Sequence, residues 1–437
     1  MHKKTAKNCG FQLKSYNQKN DKKPKNARLE ALSGPVFAVS TAEDRFAGMD
    51  ALSAKGQNAP SAALDRIGDP FTPPEHKDEQ NWRLAKASRR SLFQNGVHRS
   101  VGACGMPGKD TANVSFRKMK AHDGSSRIST DGVSHCGSAR CPRCAPLRAS
   151  DVSGRVGAVL KAMNDCGFGG AFATWTMRHD RNTILSDMRK AQSAAISALQ
   201  RGGLWNRLRR DGLVGFIRVF EVTWGVRTGW HLHVHAILIH EAGSEAAVQA
   251  GQALTGRWID LLAKAGHVAV GSGQKVKPIS QDQGLSDYGV SDLRGWGAAA
   301  EMAAGWIKTG KRPDRFNVPE LLALAAEGDT LAGQKYAEAV EALSGQRLLV
   351  VGPRLKAALD LDFEAIADEE PPELEAQEEG TIGLLSSSVW KRAANHPRFD
   401  HAWIICTVRK LSLVESIEWC DVSLLIWQRV MGDDPPD

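Results

Sequence analysis

Three histidines stand at alternate positions in GWHLHVHAILI, residues 229–239: His231, His233 and His235. Successive side chains of a strand point to opposite faces, so the three imidazoles share one face and Leu232, Val234, Ala236 and Leu238 share the other. A row of imidazoles offers metal-ligand or catalytic chemistry; a solvent-facing polar strand edge is the plainer alternative. A second ligand-bearing stretch is HCGSARCPRC, with Cys136, Cys141 and Cys144. The Cys-x2-Cys pair Cys141 and Cys144 is the knuckle that holds a tetrahedral zinc. Cys104, upstream in GACGMPG, would complete a four-cysteine site, with His135 as the alternative fourth ligand. Four thiolates leave no open coordination position, so such a Zn²⁺ is structural. A redox pair or free thiols would use the same residues differently. Cys9, Cys166, Cys406 and Cys420 look unrelated.

These groups need elements to hold them. Apolar runs flank the histidines, in VGFIRVFEVTW and AILI, and the glycine-bearing segment GVRTG (225–229) joins them as a hairpin. AFATWTM (171–177) reads as a strand, and HVAVGS and KVKPIS as short ones. Spacing predicts helices over 151–165, 182–201, 244–266, 318–327 and 331–344, with another at 298–308. The strand–helix–strand–strand–helix order predicts an α+β fold with a central antiparallel sheet flanked by helices. The chain divides into a basic, mostly disordered arm (1–82), a Cys-rich zinc-binding module (83–150) and a domain carrying the histidines (151–312). A helical extension (313–360), an acidic linker (361–380) and a small helical C-terminal appendage (381–437) follow. The arm rests on nine Lys or Arg against the single acid Asp21 in residues 1–28, and the linker on nine acids with no base in 361–380.

The chain has 437 residues, a formal net charge of +8 and a pI of about 9.0. That balance favours a polyanionic partner, nucleic acid before membrane. No stretch has the length of a transmembrane helix, and MHKKTAKNCGFQLKSY lacks the apolar core of a signal peptide. A cytoplasmic location is expected, where thiols stay reduced and cysteines serve metals rather than disulfides. Arg207, Arg209 and Arg210, close together in WNRLRRDG, are candidate DNA-phosphate contacts, or simply a charged helix end. GWIKTGKR (305–312) fits Gly-x4-Gly-Lys but carries Arg312 where a phosphate-binding loop needs Ser or Thr, which argues against nucleotide hydrolysis.

In chain order the pieces are Cys104, CGSARCPRCA, FATWTMRHD, IRVFEVTWG, GWHLHVHAILI, a tyrosine, EMAAGWIKTGKR and PELLALAAEGD. This order resembles the rolling-circle replication initiator (Rep) proteins of bacterial plasmids, in the HUH endonuclease superfamily, over roughly residues 83–400. The resemblance implies an HUH-type sheet in the 151–312 domain and site-specific nicking of one strand at a plasmid double-strand origin. A tyrosine becomes linked to the 5′ phosphate, and the free 3′ hydroxyl primes synthesis. It further implies Mn²⁺ or Mg²⁺ on His233 and His235, with Glu221 of the neighbouring strand as candidate third ligand. His231 is left as a further ligand or a phosphate holder. Of the three tyrosines, Tyr288 in GLSDYGVSD stands where the family places its nucleophile; Tyr16 lies in the arm and Tyr336 on a predicted helix. Lys308 and Lys311 are candidate phosphate contacts, and Ser291 stands where the family often has lysine. The implied partners are single-stranded or cruciform origin DNA, a host helicase and a DNA polymerase, and no membrane. The competing readings are an HUH transposase or relaxase, a non-enzymatic zinc-containing DNA-binding protein, and a hydrolase that uses water and leaves no covalent adduct.

Overall fold

The alternation in GWHLHVHAILI becomes the central strand of a sheet. The computed structural model describes residues 74–120, 126–279, 314–361, 377–396, 400–411 and 419–431. Its strands are β1 (Asn113–Lys120), β2 (Ser126–Asp131), β3 (Gly169–Thr176), β4 (Leu213–Gly225), β5 (Gly229–His240), β6 (Lys275–Ile279), β7 (Arg315–Asn317), β8 (Leu349–Val350) and β9 (Gln377–Ser386). Its helices are α1 (Pro74–Gln94), α2 (Ser100–Ala103), α3 (Ala145–Asp165), α4 (Leu185–Leu199), α5 (Gly202–Arg210), α6 (Ser244–Lys264), α7 (Val318–Ala326), α8 (Thr330–Ala342), α9 (Pro353–Ala358), α10 (Ser387–Asn395), α11 (His401–Leu411) and α12 (Trp419–Met431). The result is the expected α+β class. None of the described helices is long and apolar enough to cross a membrane.

The larger sheet has the order β6-β3-β5-β4-β7, with β8 also on β4, and every pairing is antiparallel. Leu232, Val234, Ala236 and Leu238 enter a core with Met188, Ile196 and Leu199 of α4 and Leu254, Trp258 and Leu262 of α6. On the opposite face Ile217, Ile237 and Ile239 lie under Val152, Val156 and Met163 of α3 and Leu355 of α9. That cover sits over the Ile237–Ile239 end of β5. Towards the hairpin the same face carries His235, His233 and His231 instead. A one-residue slip of β5 would drive three imidazoles into the first core and expose four apolar side chains, a loss on the order of 6–12 kcal/mol.

The smaller sheet, β2-β1-β9, joins the two ends of the described chain. Val114 and Phe116 of β1 share a core with Leu385 of β9, Trp390 of α10, Ile404 and Val408 of α11, Ile426 of α12 and Trp82 of α1. Trp82 meets Trp390 edge-on at 5.3 Å. Gly383 lets β9 pass under the Trp419 indole, which leaves no room for a Cβ there. Three expectations are corrected here. Helix α1 runs through the boundary drawn at 82/83, because Trp82 is a core residue rather than the end of an arm. Strand β9 crosses the one drawn at 380/381, so the C-terminal segment is built into the fold with β1 instead of hanging from a linker. HVAVGS forms no strand: Val268 and Val270 are exposed, and the Val268 carbonyl accepts a hydrogen bond from the Arg178 amide. KVKPIS does supply a strand, β6.

His401 stacks on Trp390 at 4.3 Å and donates Nε2–H to the Trp390 carbonyl at 2.8 Å. Burial drives this imidazole down from its ordinary 6.5 to about 3, assisted by Arg89 and Arg143. The unfolded chain therefore takes up a proton that the folded chain refuses between about pH 6.5 and 3. Stability is full above that window and falls through it as pH drops, by about 1.4 kcal/mol per pH unit. Urea unfolding at pH 7 and pH 5 is expected to differ by about 2 kcal/mol from this group alone. A His401→Gln variant that kept the whole pH slope would refute the assignment.

Two candidate metal centres

The hairpin positions the first centre. Gly225 and Gly229 face each other at its end, and Gly229 (φ +73°) takes a left-handed turn with the Asp180 carbonyl only 2.5 Å from where a Cβ would stand. Residues directly opposite across an antiparallel pair share a face. Glu221 is opposite His233, Thr223 opposite His231 and Val219 opposite His235 on one side; Thr176 and Thr174 are opposite His233 and His235 on the other. One ligand atom each of Glu221, His233 and His235 lies within 4.8 Å of the others. His235 Nε2 is 2.6 Å from Glu221 Oε2, and His233 Nε2 is 3.3 Å from the same oxygen.

This donor set suits a divalent cation. Two imidazole nitrogens and a carboxylate converge, and His233 Nε2 is buried without a hydrogen bond. Burial alone would raise the Glu221 carboxyl, but the side chains of His233 and His235 outweigh it and hold the group well below the usual carboxylate range. Glu221 is therefore an anion in a nearly dry site. Thr174 Oγ1 lies 3.2 Å from His235 Nδ1, so the hydroxyl can accept Nδ1–H when Nε2 serves as a ligand. Phe172 stacks on the same ring at 5.3 Å.

His231 stands outside this group of three. Its Nδ1 is 2.6 Å from Nε2 of His179, whose own Nδ1 is 3.0 Å from the Thr228 carbonyl. The carbonyl can only accept, so His179 carries its proton on Nδ1, His231 carries its own on Nδ1, and His231 Nε2 keeps a lone pair. Burial, then His233, His179 and Arg315, lowers His231 to about 3, and burial also lowers His179, so both rings are neutral. His179, in the RHD that follows β3, was missed by sequence reasoning; nothing but its place after a strand marks it. Lys275 and Lys277 were missed too. They stand opposite Thr174 and Phe172 on β6, exposed and on the histidine face. Their alternation in KVK is the signal.

The second centre gathers Cys104, Cys136, Cys141 and Cys144, whose sulfurs all lie within 4.8 Å of one another. Cys104 Sγ and Cys136 Sγ are 3.6 and 3.8 Å from Cys144 Sγ. A tetrahedral ion with metal–sulfur bonds of about 2.3 Å spaces its sulfurs by about 3.8 Å, so the four fit such an ion. Hydrogen bonds from Cys136 and Cys141 lower the Cys104 thiol to about 6, and those from Cys104, Cys136 and Cys141 also lower Cys144. The thiols of Cys136 and Cys141 are pushed up in return, chiefly by Cys104. Four crowded sulfurs ionise together only around a cation. The knuckle opens α3, which begins at Ala145 directly after Cys144, and Arg148 Nε braces it by donating to the Gly137 carbonyl at 2.9 Å.

Other expected residues lie apart. Arg207, Arg209 and Arg210 occupy the last turn of α5, just before β4 begins at Leu213. Eight strand residues, about 25 Å, separate that end of β4 from Glu221. Burial, then Arg354, lowers Arg209. Tyr336 is fully buried between Ser88 Oγ at 2.6 Å and the Arg140 carbonyl at 2.8 Å, to which it donates. Tyr16, Tyr288, Ser291, Lys308 and Lys311 lie outside the described residues.

An antiparallel sheet with a two-histidine, one-carboxylate group on one face, and a four-cysteine knuckle built into the core on the other, defines an α+β protein with two sites able to hold metal ions. A sequence model of the family described as Replication protein matches residues 128–395, more than half of the chain. The chain belongs to this family, the replication proteins to which plasmid rolling-circle Rep initiators belong. The matched span takes in every residue of both centres except Cys104. Neither the curated proteins nor the solved structures gave a match.

Proposed function

We propose that the chain initiates replication by nicking one DNA strand at a plasmid double-strand origin, on a sheet of the HUH endonuclease type. The observation that carries this reading is the convergence of Glu221, His233 and His235, with the buried Nε2 of His233 lacking a hydrogen bond. Mn²⁺ or Mg²⁺ held by these three side chains would supply Lewis-acid polarisation of the scissile phosphodiester. Tyr288 is the proposed nucleophile. Its phenol oxygen bonds to phosphorus as the P–O3′ bond breaks; the phenol gives up its proton and the departing O3′ takes one. A 5′-phosphotyrosine link and a 3′-hydroxyl primer result.

Two observations support Tyr288. Tyr336 is buried and committed to Ser88 and Arg140. Tyr288 follows Ile279 by nine positions, and Ile279 stands opposite Gly170, six residues along β3 from Thr176 beside His233. Nine residues reach about 30 Å when extended, against about 20 Å along the strand. Lys275 and Lys277 on the same face, with Lys308 and Lys311, would contact phosphates of the cut strand. Arg207, Arg209 and Arg210, at the far end of β4, would meet DNA away from the cut. The cysteine group would hold a structural Zn²⁺. The substrate would be single-stranded or cruciform origin DNA, with a host helicase and DNA polymerase completing the process.

The test is a denaturing gel of full-length protein with single-stranded origin DNA and Mn²⁺. A covalent protein–DNA band is expected for wild type, absent with EDTA and absent for Tyr288→Phe. Metal-dependent cleavage without an adduct would replace this reading with a hydrolase. DNA binding without cleavage would replace it with a non-enzymatic DNA-binding protein.

A further inference from the structure

A cavity of about 560 Å³ opens between the cysteine knuckle, the first turns of α3 and the loop from α8 to β8. Its charged lining is one-sided: Arg99, Arg140, Arg148, Arg155, Arg347 and Lys356 against the single carboxylate of Asp151, with Arg99 also paired to Glu341 outside the lining at 3.9 Å. Asp151 is already engaged, by Arg155 at 2.6 Å and by Arg148 at 4.0 Å. Arg140 is 6% exposed and reaches Gln346 Oε1 through Nη2 at 3.3 Å. The Nε2 of that same Gln346 is buried and donates to nothing. The cavity thus offers guanidinium forks and an unused amide donor, the groups that meet the oxygens of a phosphate. Its volume falls in the range of small-ligand sites, large enough for one nucleotide. An anion entering here would meet the almost fully buried Arg140 guanidinium in the cavity wall.

We propose that this cavity is a second nucleic-acid site, one that takes a nucleotide phosphate and is separate from the Glu221–His233–His235 face. Its position suits that role. Leu349 in its wall stands opposite Val219, two residues along β4 from Glu221 and on the same face. The phosphate has two sources, a DNA strand or a free nucleotide. A strand held here would be anchored between the knuckle and the cutting face.

The inference does not depend on the nicking reaction, so its test runs without added Mn²⁺ or Mg²⁺ and without chelator, which leaves the cysteine knuckle intact. Full-length protein is titrated with a fluorescent single-stranded oligonucleotide by anisotropy and with dAMP by calorimetry. The Arg99→Ala/Arg347→Ala double variant removes two exposed charges from the cavity. Lys161→Ala/Lys190→Ala removes two exposed charges elsewhere and serves as the control. The cavity variant is expected to bind about tenfold more weakly, with the slope of log affinity against log salt shallower by about 1–2, and the control to match wild type. Loss confined to the oligonucleotide identifies a strand phosphate; loss with dAMP as well identifies a site that also takes a free nucleotide. Equal losses in both double variants, or none in the cavity variant, would overturn the proposal. An unchanged melting temperature separates lost binding from lost folding.

Discussion

Replacing His233 with alanine is expected to reduce Mn²⁺-dependent nicking of single-stranded origin DNA about a thousandfold while DNA affinity in EDTA stays within about twofold of wild type. The size of the effect follows from the geometry. His233 Nε2 and His235 Nε2 share Glu221 Oε2 at 3.3 and 2.6 Å, so losing one imidazole leaves a carboxylate and a single nitrogen for the cation. Polarisation of the phosphate by the cation is worth several kcal/mol, and about 4 kcal/mol is a thousandfold in rate. Binding, on the proposed reading, would rest on lysine and arginine side chains rather than on His233. Calorimetric titration with Mn²⁺ should register the same loss without DNA. A His233→Ala protein that nicks at the wild-type rate with unaltered Mn²⁺ affinity would remove the metal from this group.

The second large effect belongs to the cysteines. Wild-type protein is expected to carry about one zinc ion per chain in atomic emission, and Cys144→Ser none. Stability should fall by several kcal/mol, within the scale of about 10–16 kcal/mol by which zinc organises small modules. The loss should spread beyond the knuckle, because Cys104, Cys141 and Cys144 are buried in the same core as Leu92 and Val101. Helix α1 also packs against α7, α8 and α11. Limited proteolysis of the serine variant is therefore expected to cut first around residues 95–144. A variant without zinc that kept its melting temperature would make the four sulfurs an ordinary buried cluster.

Much of the first centre was legible in the sequence because it is local. Alternation in HLHVHAILI and the short GVRTG link specify both the face of the histidines and their register with IRVFEVTW, which brings Glu221 opposite His233. The knuckle was legible for the same reason: its three cysteines sit within nine residues. What failed was long-range. PEHKDEQNWRL carries so many charges that its helix showed little periodicity, and Trp82 finds its core against Trp390. QEEGTIGLLS was divided between an acidic linker and a C-terminal appendage because its strand pairing lies with β1, far back in the chain. His179 was invisible since its role depends on the Thr228 carbonyl of a turn 49 residues away.

The pairing of β1 with β9 also governs the order in which the molecule can be assembled. Val114 must wait for Leu385, and a ribosome adds about 5–20 residues per second, so the partner strand emerges tens of seconds later. The histidine-bearing sheet, whose strands β3 to β6 lie between Gly169 and Ile279, can complete its own hairpin core in that interval. Throughout it, β1 has one open edge and Trp82 no indole to meet. The nascent chain thus acquires the face that carries Glu221, His233 and His235 well before it acquires its closure. A ribosome stalled before β9 would display the paired strands β3 to β6 beside an unsealed edge of β1, the kind of edge that recruits a chaperone or a second nascent chain.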